Sequence, residues 1–423
     1  MSTKSSTLAL NGGQRAVTQQ LPPMYPGGMR IGDEEEAEVL EVLRSKRLFR
    51  YYGPSRGESK VAQFEAAFAR TVGVPHAAAV SSGTAALMSA LAGLGVGPGD
   101  EVIVPAYTWI ATASAAVAMG AVPIIAEVDE SLTLDPADVG RKITPRTKAI
   151  MAVHMRGAPC DLDALLAVAR PRGVAVVEDV AQAAGASYRG RRLGSIGDAG
   201  AFSLQFNKII TAGEGGVLTT ASDAIHQRVL MYNDVVGGLR NGLPPDQVLP
   251  GINLRMGELQ GAVALAQLRR LDDLLLAMRR NKAAIKGAVA EQAAAKGVSF
   301  RAIRDEAGEA AIALVLFMRT PEQARFAAEA LSAEGAGADV LYDPDDVDYH
   351  IYPHWAPIMH QRAWSSEGGP WRWHAGDVRY EPDMCPRSLD LLGRAVHLNI
   401  SPDLSAAQVE EVAEALSKVL EAI

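Results

Sequence analysis

Between residues 75 and 220, short apolar runs alternate with stretches in which apolar residues recur at a spacing of three and four. The runs VIVPAY (102–107), VPIIAEV (122–128), AIMAVH (149–154), AVVEDV (175–180), GAFSLQ (200–205) and GGVLTT (215–220) read as strands. ATASAAVAMG from Ala111, DPADVGRKI from Asp135 and LDALLAVARPRG from Leu162 fall between the first four and have helical character. Strands that are apolar on both faces and separated by helices predict an α/β fold, a mainly parallel sheet covered on both sides. Such sheets bind ligands at the carboxyl ends of their strands.

From about Met256 to Ala294 the three- and four-residue spacing is sustained long enough to predict one helical spine leading into a second unit. VSFRAI (298–303), AAIALVLFM (310–318), PEQARFAAEAL and the closing SAAQVEEVAEALSKVL supply strands and helices for a smaller α+β domain. The division expected is an N-terminal arm at 1–30, a large domain at 31–270 and a small C-terminal domain at 271–423. At 423 residues the chain has ample material for two cores.

Composition narrows the class. Lysine and arginine total 41 against 49 acidic residues, a net charge of −8 with no basic stripe, which argues against nucleic acid as a partner. Two cysteines, Cys160 and Cys385, lie too far apart for a zinc ribbon, and no metal site is expected. No apolar tract reads as a signal peptide or a membrane span, so a cytoplasmic location is the expectation.

Candidate chemistry starts at SSGTAALMSALAGLG. Small residues opening an apolar helix at Gly83, Thr84 and Ala85 leave free N–H groups for an anion, although a Ser/Thr helix cap explains the same letters. Asp179 ends the fourth strand of the alternation, where it is either a cap for a following helix or an anion facing a cationic ring nitrogen. Gln182 is expected one helical turn further on. Lys208 stands alone in FSLQFNKIITAGEGG, five residues after Ser203, in surroundings that penalise an ammonium unless its pKa falls. An anion site, a strand-end acid and a lysine in an apolar turn together match the needs of pyridoxal 5'-phosphate, and Trp109 is placed to stack on its ring.

SSGTAAL, GDEVIVPAYTW, ITPRTKAIMAVHMRGAP, VVEDVAQAAGASYRGRRLGSIGDAGAFS, NKIITAGEGG and GINLRMGELQGAVALAQL are similar, in order and spacing, to the DegT/StrS family of sugar aminotransferases. The resemblance implies a fold type I enzyme that moves an amino group from glutamate or glutamine to a keto or aldehyde sugar, nucleotide sugar or cyclitol. It implies Lys208 as the lysine that condenses with the cofactor, Asp179 as the partner of its ring nitrogen and Gln182 beside its hydroxyl. Trp109 would cover the ring, and Thr84, Ala85 and Ser203 would hold the phosphate. Asn253 resembles an asparagine that reaches the phosphate of a neighbouring subunit, which implies a homodimer with shared sites. His154 also matches a family position, with a structural strand-end histidine as the alternative.

Some relatives carry histidine in place of the lysine and act as sugar dehydratases; retention of Lys208 favours transamination over that chemistry and over a non-catalytic regulator. Arg156 stands where an aromatic or small residue is expected, and reads either as a binder of an acidic substrate group or as a surface ion pair. Residues 340–386 concentrate His350, His354, His360 and His374 with Trp355, Trp364, Trp371 and Trp373. Their spacing fits no zinc pattern, and a lid over the mouth of the site is the expectation.

Overall fold

In the computed structural model, which describes residues 7–25, 30–51 and 59–423, seven strands form the central sheet. In spatial order they are His76–Val80, Gly216–Thr220, Ala199–Ser203, Ala175–Asp179, Thr147–Val153, Glu101–Pro105 and Val122–Ala126. The last five are mutually parallel; Gly216–Thr220 runs antiparallel to both of its neighbours. The architecture is the α/β arrangement expected. Of the residues expected to form an N-terminal arm, 1–6 and 26–29 lie outside the described residues.

The double-sided apolar pattern has a direct structural counterpart. Ile103, Ile150, Val176 and Phe202 face one layer, with Phe64 and Phe68 of the helix Lys60–Val72 among their neighbours. Val102, Val104, Met151 and Val177 face the other, with Leu87 and Leu91 of the helix Gly83–Gly93. Each of these large side chains contributes roughly 1.5–3 kcal/mol by leaving water, so a one-residue slip in any strand would exchange the two sets and is strongly disfavoured. The carboxyl ends of the parallel strands therefore come to one edge in fixed register.

The strand His76–Val80 is absent from the pattern-based reading. Its sequence, HAAAV, has three alanines and so little β propensity; it forms because Gly216–Thr220 offers it a complete antiparallel ladder.

The expected single spine is two helices, Glu258–Leu268 and Leu271–Ala295. No glycine or proline marks the break. It falls where the chain changes partners: the first helix packs on Asp33–Ser45 and Lys60–Val72, the second on Ala406–Ala422. Arg269 and Arg270 at the junction pair with Glu38 and with Glu34 and Glu35, holding the turn on the first group.

A four-stranded antiparallel sheet follows, in the order Ser299–Phe300, Ala313–Phe317, Ala395–Asn399, Ala338–Val340. Arg301, fully surrounded, ties it to the first sheet by donating to the carbonyls of Ser131 (2.5 Å) and Met155 (2.7 Å). Residues 7–25 lie along this second unit. The buried Glu334 carboxylate accepts the N–H groups of Ala9 (2.7 Å) and Ala16 (2.8 Å) and also the Lys418 ammonium. That anchor sets the course of the chain toward Met24 and Tyr25.

The 340–386 segment does not act as one lid. Trp355 and Tyr352 are fully buried against the central sheet. His374 is seated on Glu101 and Arg146, at the amino end of its strand and thus at the opposite end of the sheet from the ligand edge. Trp364 and Trp373 are exposed. Most of the aromatics therefore serve as anchors or surface, and only the stretch around His350 reaches the ligand edge. Among the described residues no three His, Cys, Asp or Glu side chains converge as a metal site, and no helix is long and apolar enough to cross a membrane.

Candidate active site

A cavity of about 410 Å³ opens at the carboxyl ends of the parallel strands. Gly83, Thr84, Trp109, Asp179, Gln182, Ser203 and Lys208, widely separated in the chain, all line it, as does Arg156.

Its anion cradle is built from a helix start. Ser82 is extended and its hydroxyl accepts from the N–H of Ala85 at 3.0 Å, while the Ala86 N–H bonds to the Ser82 carbonyl. The N–H groups of Gly83 and Thr84, in the first turn, have no acceptor within the helix and carry the positive end of its dipole. Ser203 arrives from the adjacent strand end so closely that a Cβ on Gly83 would meet its Cβ at 2.8 Å and its Oγ at 3.0 Å. Only glycine lets the hydroxyl and the helix start share one anion. Ala85, expected among the phosphate holders, does not line the cavity; its N–H is committed to the cap.

The strand Ala175–Asp179 aims two successive carboxylates at opposite faces. Glu178 points away from the cavity, where it accepts from the N–H groups of Gly194 (2.8 Å), Ile196 (2.7 Å) and Gly197 (2.7 Å). His154 Nε2 completes the set at 3.2 Å, and its Nδ1 accepts the Cys160 N–H at 3.0 Å. Burial alone would raise the Glu178 carboxyl; these bonds outweigh it and hold the group below the usual carboxylate range. His154 is wholly buried and outside the cavity, which makes it a support for the strand end.

Asp179 points the other way. Its Oδ1 accepts the Ala181 N–H (3.1 Å) and its Oδ2 the Thr112 hydroxyl (2.9 Å). No helix follows, which removes the helix-cap reading and places Gln182 on a turn: Ala183 N–H bonds to Val180 and Ala186 N–H to Ala183. Burial raises the Asp179 carboxyl despite these two donors and the charge of Lys208. An anion held at such a disadvantage gains most from a cation placed opposite it.

Lys208 lies in the turn after Ser203, backed by the buried Ile209 and Ile210. It forms no ion pair or hydrogen bond among the described residues. Burial depresses its pKa, the charge of Arg156 adds to that, and Asp179 only partly offsets the two. A neutral amine is thus more accessible there than on a surface lysine.

Trp109, 47% exposed, forms an exposed wall of the cavity. Its backbone is held by the 349–352 stretch: Thr108 N–H bonds to the His350 carbonyl and Ile110 N–H to that of Tyr349. The His350 ring lies 5.0 Å from the indole, its Nδ1–H on Asp348 at 2.7 Å and its Nε2 3.4 Å from the Gln182 amide nitrogen. The Gln182 Oε1 in turn accepts the Arg156 N–H at 2.9 Å. Thr112 and Tyr25 also line the cavity, and of the 340–386 cluster expected over its mouth, His350 does. Thr112, three residues past Trp109, has a local signal in the sequence; Tyr25 comes from a distant segment and has none.

Asn253 is exposed and outside its own chain's cavity, its side chain only 3.3 Å from the Arg255 N–H. The set that does converge fits pyridoxal phosphate on three counts: the glycine-dependent anion cradle, a buried carboxylate short of a cation, and an unpaired lysine of depressed pKa.

The chain matches the DegT/DnrJ/EryC1/StrS aminotransferase family over residues 29–363. It is 47% identical over 263 residues to GDP-perosamine synthase of Caulobacter vibrioides, covering 62% of this chain and 68% of that one. It is 43% identical to the L-glutamine:2-deoxy-scyllo-inosose aminotransferase of Streptoalloteichus tenebrarius, covering 67% of this chain and 68% of that one. Among solved structures, 3-amino-5-hydroxybenzoic acid synthase aligns over 96% of this chain and 100% of its own, with a TM-score of 0.79 at 27% identity. S. venezuelae DesV aligns over 96% of this chain and 100% of its own, with a TM-score of 0.78 at 31% identity.

The depressed pKa of Lys208 has a thermodynamic sign. The unfolded chain binds the lysine proton more tightly, so the penalty is full below the folded-state pKa and vanishes as pH rises past the ordinary value near about 10.4. Cofactor-free Lys208→Met is therefore expected to melt above the cofactor-free wild type at pH 7, with the gap closing toward that upper limit. A variant that melts several degrees lower at pH 7, followed by circular dichroism, contradicts the burial argument.

Proposed function

The chain belongs to the DegT/DnrJ/EryC1/StrS aminotransferase family, and from that premise we propose that it uses pyridoxal 5'-phosphate to move an amino group from glutamate or glutamine to the carbonyl of a sugar, nucleotide sugar or cyclitol. One observation carries the reading: among the described residues, the one lysine of the cavity has no ion-pair or hydrogen-bond partner, has a depressed pKa, and shares the cavity with a buried carboxylate and a helix-start anion cradle. The named sugar and cyclitol aminotransferases among its relatives support the substrate class.

The N–H groups of Gly83 and Thr84 and the Ser203 hydroxyl would hold the phosphate, Trp109 would cover one ring face, and Asp179 would face the ring nitrogen. When bound, the cofactor supplies an aldehyde that accepts the donor's nitrogen and a cationic ring that absorbs the electron pair left on the donor's α carbon. Asp179 keeps that ring nitrogen protonated, since its buried carboxylate is stable only opposite a cation. Lys208 Nζ would take the proton from the donor's α carbon and hand it on across the nitrogen to the carbon two atoms away, and would reverse that transfer with the acceptor. Burial makes the neutral amine available for that work. Gln182, oriented by the Arg156 N–H, directs its amide nitrogen along the wall shared with His350.

Addition of glutamate or glutamine to the loaded enzyme is expected to bleach its visible absorbance and release the matching 2-oxo acid in stoichiometric amount. Loss of neither with either donor contradicts amino transfer. Asp179→Asn keeps one oxygen for the Ala181 N–H but sets an NH2 where Oδ2 accepts the Thr112 hydroxyl, and it removes the charge; its bleaching rate is expected to fall by about 10² or more. A parental rate would reduce Asp179 to a turn residue.

We also assign Asn253 to a partner's phosphate across a two-fold interface, a reading supported by its exposure away from its own cavity. Loss of one hydrogen bond to a charged group costs about 1.5–3 kcal/mol. Asn253→Ala is therefore expected to shed cofactor more readily, and more steeply on dilution. A wild-type monomer by light scattering that retains full activity would refute the shared site.

A further inference from the structure

Arg156 lines the cavity through no role in the transfer chemistry. Its backbone is left-handed, with φ 51° and ψ 35°, a region few non-glycine residues enter. Gly157 follows at φ 79°, and a Cβ there would meet Ala310 at 3.0 Å and Ile312 at 3.1 Å, so the turn is wedged against the second unit. The Gln182 Oε1 secures the Arg156 N–H. This scaffolding commits the side chain to the cavity, and among the described residues the surface ion pair that the sequence left open does not form.

The guanidinium has a neutral partner only. Its Nε donates to the Tyr107 hydroxyl at 3.2 Å, and Tyr107 is fully buried. The terminal nitrogens have no hydrogen-bond or ion-pair partner among the described residues. Asp348, whose charge reaches Arg156, is already engaged by the N–H (2.9 Å) and the Nδ1–H (2.7 Å) of His350. On the other side, Lys208, Arg301 and His397 all feel the Arg156 charge as an unfavourable one. Tyr107, Asp348 and Tyr25 outweigh the cost of burying the Arg156 charge, so what stands open on the wall is the planar fork of donors itself, the shape that a carboxylate fills with two parallel hydrogen bonds.

We propose that Arg156 binds a substrate carboxylate in this cavity. The inference rests on the aminotransferase reading, under which donor and acceptor occupy the same space in turn. The carboxylate is that of the amino-acid donor or that of a sugar acid taken as acceptor. An uncharged sugar would offer the fork no pair of charged acceptors.

Isothermal titration of the loaded enzyme with unreactive probes tests this apart from turnover. Gluconate stands for a sugar acid, glucitol is its uncharged match, and glutarate stands for the donor skeleton without its amino group. Wild type is expected to bind at least one acid and to bind glucitol far more weakly. Arg156→Met is expected to weaken the acid by about ten- to a hundredfold, the range for a hydrogen-bonded charge. Arg156→Lys, which keeps the charge and loses the fork, falls between, and carries the comparison if the methionine variant does not fold. An effect on gluconate assigns the carboxylate to the acceptor; an effect confined to glutarate assigns it to the donor. Acids that bind the variants as they bind wild type, no acid binding to wild type, or glucitol binding as tightly as gluconate would each overturn the proposal. Wild type that transfers amino groups while the variants bind every probe alike refutes this inference and not the aminotransferase reading. Arg156-dependent acid binding in an enzyme that glutamate and glutamine fail to bleach refutes the latter alone.

Discussion

Glu178 accepts three backbone N–H groups and an imidazole N–H with no access to water, and the geometry of the site depends on that one carboxylate. Removing any buried donor would leave an acceptor unpaired, at about 1–3 kcal/mol or more for a charged group. The network joins the strand Ala175–Asp179 to the 194–197 turn and to the end of Thr147–Val153 through His154. Because side chains alternate across a strand, fixing Glu178 on one face fixes Asp179 on the other. The same turn leads into Ala199–Ser203, and so positions Ser203 and the Lys208 turn. Gly197 admits the arrangement because a Cβ there would lie 2.5 Å from the Val176 carbonyl.

On the cavity side, charge is deliberately left unfinished. Among the described residues, Asp179 is raised by burial with no cation bonded to it, Lys208 is depressed by burial with no anion bonded to it, and Arg156 bonds only the Tyr107 hydroxyl through its side chain. Each imbalance is tolerable only because the surrounding sheet, helices and second unit over-determine the backbone. The proposed cofactor, with a cationic ring nitrogen, an aldehyde and a phosphate, would resolve the first two and fill the cradle at Gly83, and would leave Arg156 to the substrate.

Much of this was legible along the chain, for identifiable reasons. The parallel strands were visible because burial on both faces demands continuous apolar runs, as in VIVPAY and AVVEDV. Lys208 and Asp179 stood out because a charge in an apolar setting needs a reason. The rest depended on partners remote in sequence. HAAAV becomes a strand only through the ladder offered by Gly216–Thr220. The break at Arg269 and Arg270 reflects a change of packing partner rather than a helix breaker. The VAQAAGA stretch has helical composition but folds as consecutive turns, which places Gln182 differently from expectation. The tryptophans of 340–386 looked like a lid, yet Trp355 is buried and His374 is bound to the far end of the sheet. Arg156 was conspicuous as a residue type, but only its left-handed backbone and open fork of donors distinguish a cavity residue from a surface one. The domain limits at 270 and 271, expected within a single spine, are a proposal; they fall between the helices Glu258–Leu268 and Leu271–Ala295.

The proposed chemistry requires Lys208 to be the residue that carries the cofactor. Borohydride reduction of the loaded wild-type enzyme, followed by proteolysis and mass spectrometry, reads that attachment directly. The expected result is a single pyridoxyl-modified peptide with the added mass on Lys208. A modification on any other lysine, or none in an enzyme that is visibly loaded and active, would contradict it.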